Sequence, residues 1–246
     1  MDKHPWQQRW KTILGKLRVV SDPADEQRIL AALSAPLAPT VLGFVNAHAM
    51  NLVVGDAQYG HALSGADVLL RDGAGMSILY RQLGLDPGLN MNGTDFIPKL
   101  LQSYKGRRVA FWGTQEPFLS QAVAHAASVH GVVPVSIHHG FADADTYLEL
   151  ARVVRPELIV LGMGMPKQEA VAVQLARAAS PCLIVCGGAI LDFLGGKVTR
   201  APRWIRRLGG EWAFRLFREP KRLFVRYVLG NPLFLLRTWL LSRRGV

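Results

Sequence analysis

The chain has 246 residues, half of them hydrophobic, and a formal net charge of +11 at pH 7. This length and apolar content are enough to bury a substantial core, which excludes a disordered protein. No apolar run reaches the roughly 18 to 20 residues that span a bilayer, and no signal-peptide pattern is seen, so we expect neither feature. The two cysteines, Cys182 and Cys186, lie too far apart along one predicted strand to pair, which favours a reduced, cytosolic compartment.

Short apolar runs alternate with segments of helical periodicity over the first 196 residues. Strands are predicted at 41–45, 68–70, 108–112, 133–137, 158–162 and 183–186. Helices are predicted at about 24–34, 56–64, 74–84, 116–130, 143–153 and 166–178, with a further helical stripe near the N-terminus. This alternation predicts βαβ units and an α/β fold with a mainly parallel sheet. Ligands then bind at the carboxyl ends of the strands, in the loops that follow them.

The net positive charge lies entirely in the last fifth of the chain. Residues 197–246 hold thirteen Lys and Arg against two Glu, which accounts for the whole net charge, and large apolar side chains are interleaved with them. We therefore divide the chain into a neutral body, 1–196, and a basic amphipathic appendage, 197–246. Such a tail needs an anionic partner: a phosphate-bearing substrate, an anionic membrane surface or nucleic acid. Residues after about Gly230 are expected to serve mainly in membrane binding.

Two loops after predicted strands carry polar residues close to the strand end. Asn46 and His48 follow the strand at 41–45, where they would bind a ligand or cap the next element. Asp72 follows the strand at 68–70 and is either a general base held at a cleft or the N-cap of the next helix. From these residues alone, the cap is the simpler interpretation.

Two further loops combine glycine with polar side chains. Asn92, Thr94 and Asp95 form a turn before a helix, which either presents backbone N–H groups to a phosphate or is turn and cap chemistry only. The segment Gly162–Glu169 has two glycines and then a helix start, a place suited to a diphosphate or a base edge. It lacks the third glycine of a dinucleotide fingerprint, which argues against a nicotinamide-dependent oxidoreductase.

The pair Asp143 and Asp145 resembles the Asp-x-Asp that holds a divalent metal in many sugar-nucleotide transferases. It opens a predicted helix, where acidic residues stabilise the helix dipole, so we favour the structural interpretation. We expect no metal site and no cofactor.

Taken in order, these segments resemble the WecG/TagA/CpsF glycosyltransferases, glycosyltransferase family 26, over about residues 17–227. Each motif is modest alone, but the ordered set is highly specific. The matching segments are 44–48, 70–73, 92–95, 162–169, 188–196, 200–202, 211–216, 219–222 and 226–227.

The resemblance implies a Rossmann-like body and an inverting transfer from a UDP-sugar to a polyprenyl-diphosphate-linked sugar. It places the enzyme peripherally at the cytoplasmic face of the inner membrane, in exopolysaccharide or cell-envelope glycan biosynthesis, with the appendage docking to the membrane and completing the active site. The amino-acid sequence at 89–95 and 186–193 most resembles the xanthan-type glucosyltransferase branch of the family, so we expect a UDP-glucose donor and a β-1,4 link. The alternative donor is UDP-N-acetylmannosamine or its uronate.

The resemblance also assigns residues. Asp72 matches the family's catalytic base, which reverses the choice of a cap. One departure is Phe44, which stands where some members have a Thr. The expected substrate-binding set is Asn46, His48, Asn92, Thr94, Asp95, Gly113, Gly162, Gly164, Lys167, Gln168, Glu169, Arg200, Arg215, Arg222 and Arg226.

One alternative from another class is a basic nucleic-acid-binding α/β protein. The positive charge suggests it, but no nucleic-acid-binding motif is present and bulky apolar residues interrupt the basic ones. We therefore expect no nucleic-acid partner, and leave a homo-oligomer open.

Overall fold

The computed structural model describes residues 5–202, 204–205 and 210–243. Four arginines of the basic appendage fall outside these ranges: Arg203, Arg206, Arg207 and Arg244. Within the described ranges, no helix is long and apolar enough to cross a bilayer.

A seven-stranded parallel sheet forms the centre of the body, in the order β1-β3-β2-β7-β6-β4-β5. The α/β fold with a mainly parallel sheet is thus confirmed. Only β1 was not predicted, because two residues are too few for a strand pattern. The strands are β1 Leu17–Arg18, β2 Thr40–Val45, β3 Val68–Arg71, β4 Arg108–Gly113, β5 Val133–His138, β6 Leu158–Gly162 and β7 Leu183–Cys186.

Helices cover both faces of this sheet. Those of the body are α1 Pro5–Lys16, α2 Pro23–Ser34, α3 Ala47–Gly55, α4 Ala57–Ser64, α5 Ala74–Gln82, α6 Gly93–Ser103, α7 Phe118–His130, α8 Ala144–Val154, α9 Lys167–Ala178 and α10 Ile190–Leu194. Those described in the appendage are α11 Glu211–Arg218, α12 Pro220–Phe224, a π-helical segment Val225–Leu229 and α13 Gly230–Ser242. Helix α3 escaped prediction because its short apolar sequence has no clear helical stripe.

Apolar side chains fill both faces of the sheet, as its parallel strands require. One layer includes Trp10, Trp112 and Tyr147, and the other includes Phe96 and Phe111. The strands therefore read as continuous apolar runs rather than as alternating ones. Cys182 and Cys186 are buried free thiols of β7.

Helix α13 packs against the body. Phe234 is 1% exposed, and its ring centroid lies 5.4 Å from that of Trp10. The amide of Asn51 donates to Gly230 O at 2.7 Å and accepts from Arg237 Nη1 at 2.7 Å. Residues after Gly230 thus complete the core as well as presenting a surface, which their composition did not indicate.

Candidate active site

A cavity of about 840 Å³ lies at the carboxyl ends of β2 and β3, between the body and the appendage. The register pairs Val45 with Arg71, so the residues that follow, Asn46 and Asp72, are neighbours at the sheet edge. The polar residues lining it are Asn46, His48, Asp72, Ser77, Asn90, Asn92, Thr94, Glu211, Arg215, Arg226 and Asn231. Apolar side chains of α5, α11 and α13 complete the wall, among them Ile78, Trp212, Leu216 and Leu235.

Asp72 follows β3 directly and does not cap the next helix. The N-cap position of α5 is Gly73, with φ +90° and no side-chain capping bond. Asp72 N donates to Val45 O at 2.8 Å, and its carboxylate accepts from Asn46 Nδ2 at 3.3 Å. Asn46 in turn caps α3 by accepting from Ala49 N at 3.1 Å. The carboxylate therefore lies at the cavity wall, held beside an amide that is itself fixed.

Burial and positive charge act in opposite directions on Asp72. Burial raises the pKa of Asp72, whereas the Asn46 hydrogen bond and the charges of Arg226, Arg215 and Arg71 lower it, and burial prevails. A carboxyl with a raised pKa suits a general base, because its proton affinity is closer to the working pH.

His48 lies beside the same charges in its neutral form. Burial and the charge of Arg226 lower the pKa of His48 to about 4. At neutral pH the imidazole is therefore uncharged, with one ring nitrogen donating and the other accepting.

Two arginines of the appendage face the cavity. Arg215 comes from α11, and its guanidinium lies 5.4 Å from the ring centroid of Phe193. Arg226 comes from the π-helical segment, 5.3 Å from the ring centroid of Tyr227. The Nε of each is buried and has no hydrogen-bond partner within the described part of the chain. Buried guanidinium donors left in this state favour an anionic ligand, since each unmade bond is costly.

A further arginine lies beside the start of α6. Arg200 Nη1 pairs with Asp95 Oδ1 at 2.6 Å, while its buried Nε and Nη2 have no partner among the described residues. Asn92 caps α6 by accepting from Asp95 N at 2.9 Å. Asn92 and Thr94 line the cavity, and Asp95 and Arg200 lie outside its lining.

Arg222 and Asp143 lie outside the cavity with partners of their own. Arg222 is 54% exposed and pairs with Glu219 at 2.6 Å. Asp143 is the N-cap of α8 and accepts from Thr146 N at 3.2 Å and from Thr146 Oγ1 at 2.7 Å.

The predicted residues at the ends of β4 and β6 lie outside the cavity and pack among themselves. A Cβ at Gly113 would approach the carbonyl carbon of Gly162 to 2.4 Å, so the two strands meet closely there. Lys167 Nζ donates to Gly140 O at 2.9 Å and to Ala142 O at 2.6 Å. Gly164, with φ +78°, belongs to the same loop. The substrate-binding role of these residues stays a prediction.

Gln168 and Glu169 form a buried polar pair at the start of α9. Gln168 Nε2 donates to Glu169 Oε1 at 2.8 Å, and Gln168 Oε1 accepts from Gly188 N at 2.9 Å. Burial raises the pKa of Glu169 to about 7. The pair ties α9 to the loop after β7, and its role as a substrate contact also stays a prediction.

Several lining residues were not predicted. Asn90 accepts from Gly73 N at 2.7 Å, beside Asp72 in space but 18 positions further along the chain. Its position next to the polar turn at 91–95 was the only signal. Trp212 and Tyr227 belong to the matching segments but were counted only among the large apolar side chains of the amphipathic appendage.

The comparisons with known proteins agree with this geometry. A family model described as the glycosyl transferase WecG/TagA/CpsF family matches residues 16–245. A Bacillus subtilis (strain 168) protein named N-acetylglucosaminyldiphosphoundecaprenol N-acetyl-beta-D-mannosaminyltransferase is 25% identical over 189 residues, which are 74% of this chain and 73% of that one. A protein of the same name from Bacillus spizizenii is 26% identical over 67% of this chain and 66% of its own.

A shorter match comes from Staphylococcus aureus (strain MW2), whose protein of that name is 34% identical over 35% of each chain. The family model includes the body and the appendage, and hence both sides of the cavity. This chain therefore belongs to the WecG/TagA/CpsF family and is a glycosyltransferase.

Proposed function

We propose that this enzyme moves a sugar from a UDP-sugar to a sugar carried on a polyprenyl diphosphate, with inversion at the anomeric carbon. One juxtaposition supports it above all: the Asp72 carboxylate shares a cavity with Arg215 and Arg226, whose buried Nε atoms have no hydrogen-bond partner among the described residues. The names of the relatives, which specify a diphosphoundecaprenol-linked acceptor, support the same acceptor class.

The chemistry follows from these groups. The acceptor hydroxyl gives its proton to Asp72 as its oxygen attacks the anomeric carbon from the face opposite the diphosphate. The bond from that carbon to the diphosphate oxygen breaks, and UDP leaves with the electron pair. Arg215 and Arg226 stabilise the charge that develops on the leaving group, because guanidinium and diphosphate match in geometry. Asn46 holds the base in place.

We propose that this transfer needs no divalent metal. The positive charge that a metal supplies to a leaving diphosphate is present in the arginines of the cavity wall. Asp143, the first residue of the Asp-x-Asp pair, is occupied as a helix cap.

For the donor, the names of the relatives support N-acetylmannosamine rather than the glucose that the sequence at 89–95 and 186–193 suggested. We therefore propose UDP-N-acetylmannosamine as the donor and N-acetylglucosaminyl-diphosphate-polyprenol as the acceptor, with UDP-glucose as the competing donor. The product would be a lipid-linked disaccharide for a cell-envelope glycan.

We further propose that the appendage rests on an anionic membrane surface, at the cytoplasmic face that the family resemblance implied. Exposed apolar residues follow one face from the π-helical segment through α13: Leu229, Leu233, Leu236 and Leu240. This face adjoins the cavity, because Val228 and Leu235 belong to the cavity wall and are also partly exposed. A lipid-linked acceptor could therefore reach Asp72 without leaving the bilayer.

The donor assignment is tested by a panel of UDP-sugars. With a short-chain N-acetylglucosaminyl-diphosphate lipid, we expect release of UDP from UDP-N-acetylmannosamine at least about tenfold faster than from UDP-glucose, a difference of about 1.4 kcal/mol. Product mass identifies the sugar transferred. The reverse preference with a glucosyl-diphosphate lipid would restore the glucose assignment, and no transfer from any donor would contradict the proposed function.

Replacing the base tests the mechanism. Asp72→Asn should lower turnover about a hundredfold or more, the usual scale for loss of a general base. The control Asp143→Asn changes a similar carboxyl outside the cavity and should keep turnover near that of the wild type. Turnover of Asp72→Asn within a fewfold of the wild type would contradict the assignment of the base.

The same variant has a stability signature. Because burial raises the pKa of Asp72, the folded protein binds this proton more tightly than the unfolded chain, and the ionised carboxyl costs stability above that pKa. Urea unfolding should therefore show Asp72→Asn at least as stable as the wild type at pH 7. The difference should shrink as the pH falls through the raised pKa, since the wild-type carboxyl then becomes neutral.

The two classes of appendage arginine should differ in their effects. Arg226→Ala or Arg215→Ala should reduce turnover about tenfold to a hundredfold even on a water-soluble acceptor, because a charge-assisted contact to the leaving diphosphate is lost. Arg222→Ala, which removes an exposed partner of Glu219, should have a much smaller effect. Turnover should also survive EDTA. Equal losses for all three variants, or loss in EDTA with rescue by Mn²⁺, would contradict this account of the charge.

Membrane docking is tested by placing a negative charge on the exposed apolar face. Leu236→Glu should weaken flotation with anionic vesicles about tenfold and leave turnover on a soluble acceptor unchanged, since burying a carboxylate in the interface is unfavourable. The control is Leu37→Glu. This residue is 96% exposed in the loop before β2, at the amino-terminal ends of the strands, whereas the cavity lies at their carboxyl ends. Equal flotation of both variants would show that this face does not meet the membrane.

A further inference from the structure

A buried arginine stands immediately before the proposed base. Arg71 is the last residue of β3 and is 2% exposed, yet no carboxylate of the described residues is hydrogen-bonded to its guanidinium. It donates instead from Nε to Pro87 O at 2.7 Å and from Nη2 to Gly88 O at 3.1 Å. Its Nη1 donates to Ser77 Oγ at 2.6 Å and to Gly73 O at 3.2 Å. A charged group this deep is retained at a cost, which calls for a role.

These bonds fix the backbone on both sides of Asp72. The loop 83–92 is held against the end of β3 by the guanidinium, and it returns two bonds of its own: Met91 N donates to Arg71 O at 3.0 Å, and Asn90 Oδ1 accepts from Gly73 N at 2.7 Å. The loop has little freedom to shift, because a Cβ at Gly88 would lie 2.3 Å from Val20 O. Asp72 therefore lies between two residues that one network immobilises.

Arg71 also differs from the other cations near Asp72 in where it belongs. The charges of Arg215 and Arg226 act on the carboxylate from the appendage, whereas Arg71 belongs to the sheet. The charge of Arg71 lowers the pKa of Asp72, as the two appendage arginines do. The charged and titratable groups around Asp72 are His48, Glu211, Arg215 and Arg226 in the cavity lining and Arg71 behind it, while Asn46 is hydrogen-bonded to the carboxylate.

We infer that Arg71 is a positioning residue for the proposed general base: it fixes the backbone around Asp72 and supplies positive charge from the body itself. The inference rests on the proposed function. Arg71 does not touch the substrate, because its side chain is buried behind β3 and is absent from the cavity lining.

We call the hydrogen bonds from the Arg71 guanidinium to the backbone around Asp72 the clamp. Two substitutions separate the effect of this clamp from the effect of the Arg71 charge. Arg71→Lys keeps the charge, but an ammonium cannot reproduce the planar fork that spans these carbonyls. Its kcat should fall about tenfold, with the acidic limb of the pH–kcat/KM profile unmoved. Arg71→Met removes both, so its kcat should fall by about tenfold to a hundredfold, the scale of a small misplacement of a catalytic group. Its acidic limb should move to higher pH, because Asp72 then keeps its proton more readily. KM for the donor should change less than about threefold in either variant.

The control is Arg81→Met, which removes an exposed arginine ten residues further on and should change neither kcat nor the acidic limb. A second readout does not depend on activity: ¹³C NMR of the Asp72 carboxyl, assigned with Asp72→Asn, should report a higher pKa in Arg71→Met than in the wild type. If transfer by the wild type fails altogether, the proposed function falls while this titration still decides whether Arg71 controls the carboxyl.

Three results would overturn the inference: a wild-type kcat in Arg71→Lys, an unmoved Asp72 titration in Arg71→Met, or a loss confined to the KM for the donor. Should Arg71→Met not fold, the kcat of Arg71→Lys decides, since that variant retains the buried charge. Its normal turnover would then rule out the clamp.

Discussion

The proposed active site depends on a carboxyl that is buried at the end of a strand and is surrounded by positive charge. Burial raises the pKa of Asp72, and the positive charges beside it lower that pKa. The cations that oppose the effect of burial come from two parts of the chain, Arg71 from the sheet and Arg226 from the appendage. The body alone provides only one of these charges, so the appendage is a component of the site.

Close packing beside the cavity brings the appendage against the body. A Cβ at Gly75 would lie 3.1 Å from Ala47 Cβ and 3.5 Å from the ring of Phe234, so α5, α3 and α13 converge on one point. The absence of a side chain there lets the appendage approach the start of both body helices. The cavity wall is built from segments far apart in sequence, and its apolar part comes mainly from the appendage.

The sequence predicted the sheet well because its strands are buried on both faces and read as uninterrupted apolar runs. It also located Asp72, Asn46 and Arg226, since residues at strand ends and in ordered motifs are visible locally. Arg71 and Asn90 were not found, because their partners lie 16 to 17 positions away and only the folded loop brings them together. The dual role of α13 was hidden as well: Phe234 and Leu241 face the core, but the opposite face is equally apolar, so periodicity could not show which side is buried.

The packing of α13 has a geometric consequence for substrate choice. Phe234, packed on Trp10 of α1, and the two hydrogen bonds of Asn51 in α3 join this helix to the body beside the cavity. If the exposed apolar face of this helix rests on the bilayer, the fold fixes the height of the proposed catalytic carboxylate above the lipid. Acceptors would then be sorted by the distance between their lipid anchor and their reacting hydroxyl. An acceptor one sugar longer would present its hydroxyl beyond the reach of Asp72. Each lipid-linked acceptor would then receive a single sugar, with no separate mechanism to end the addition.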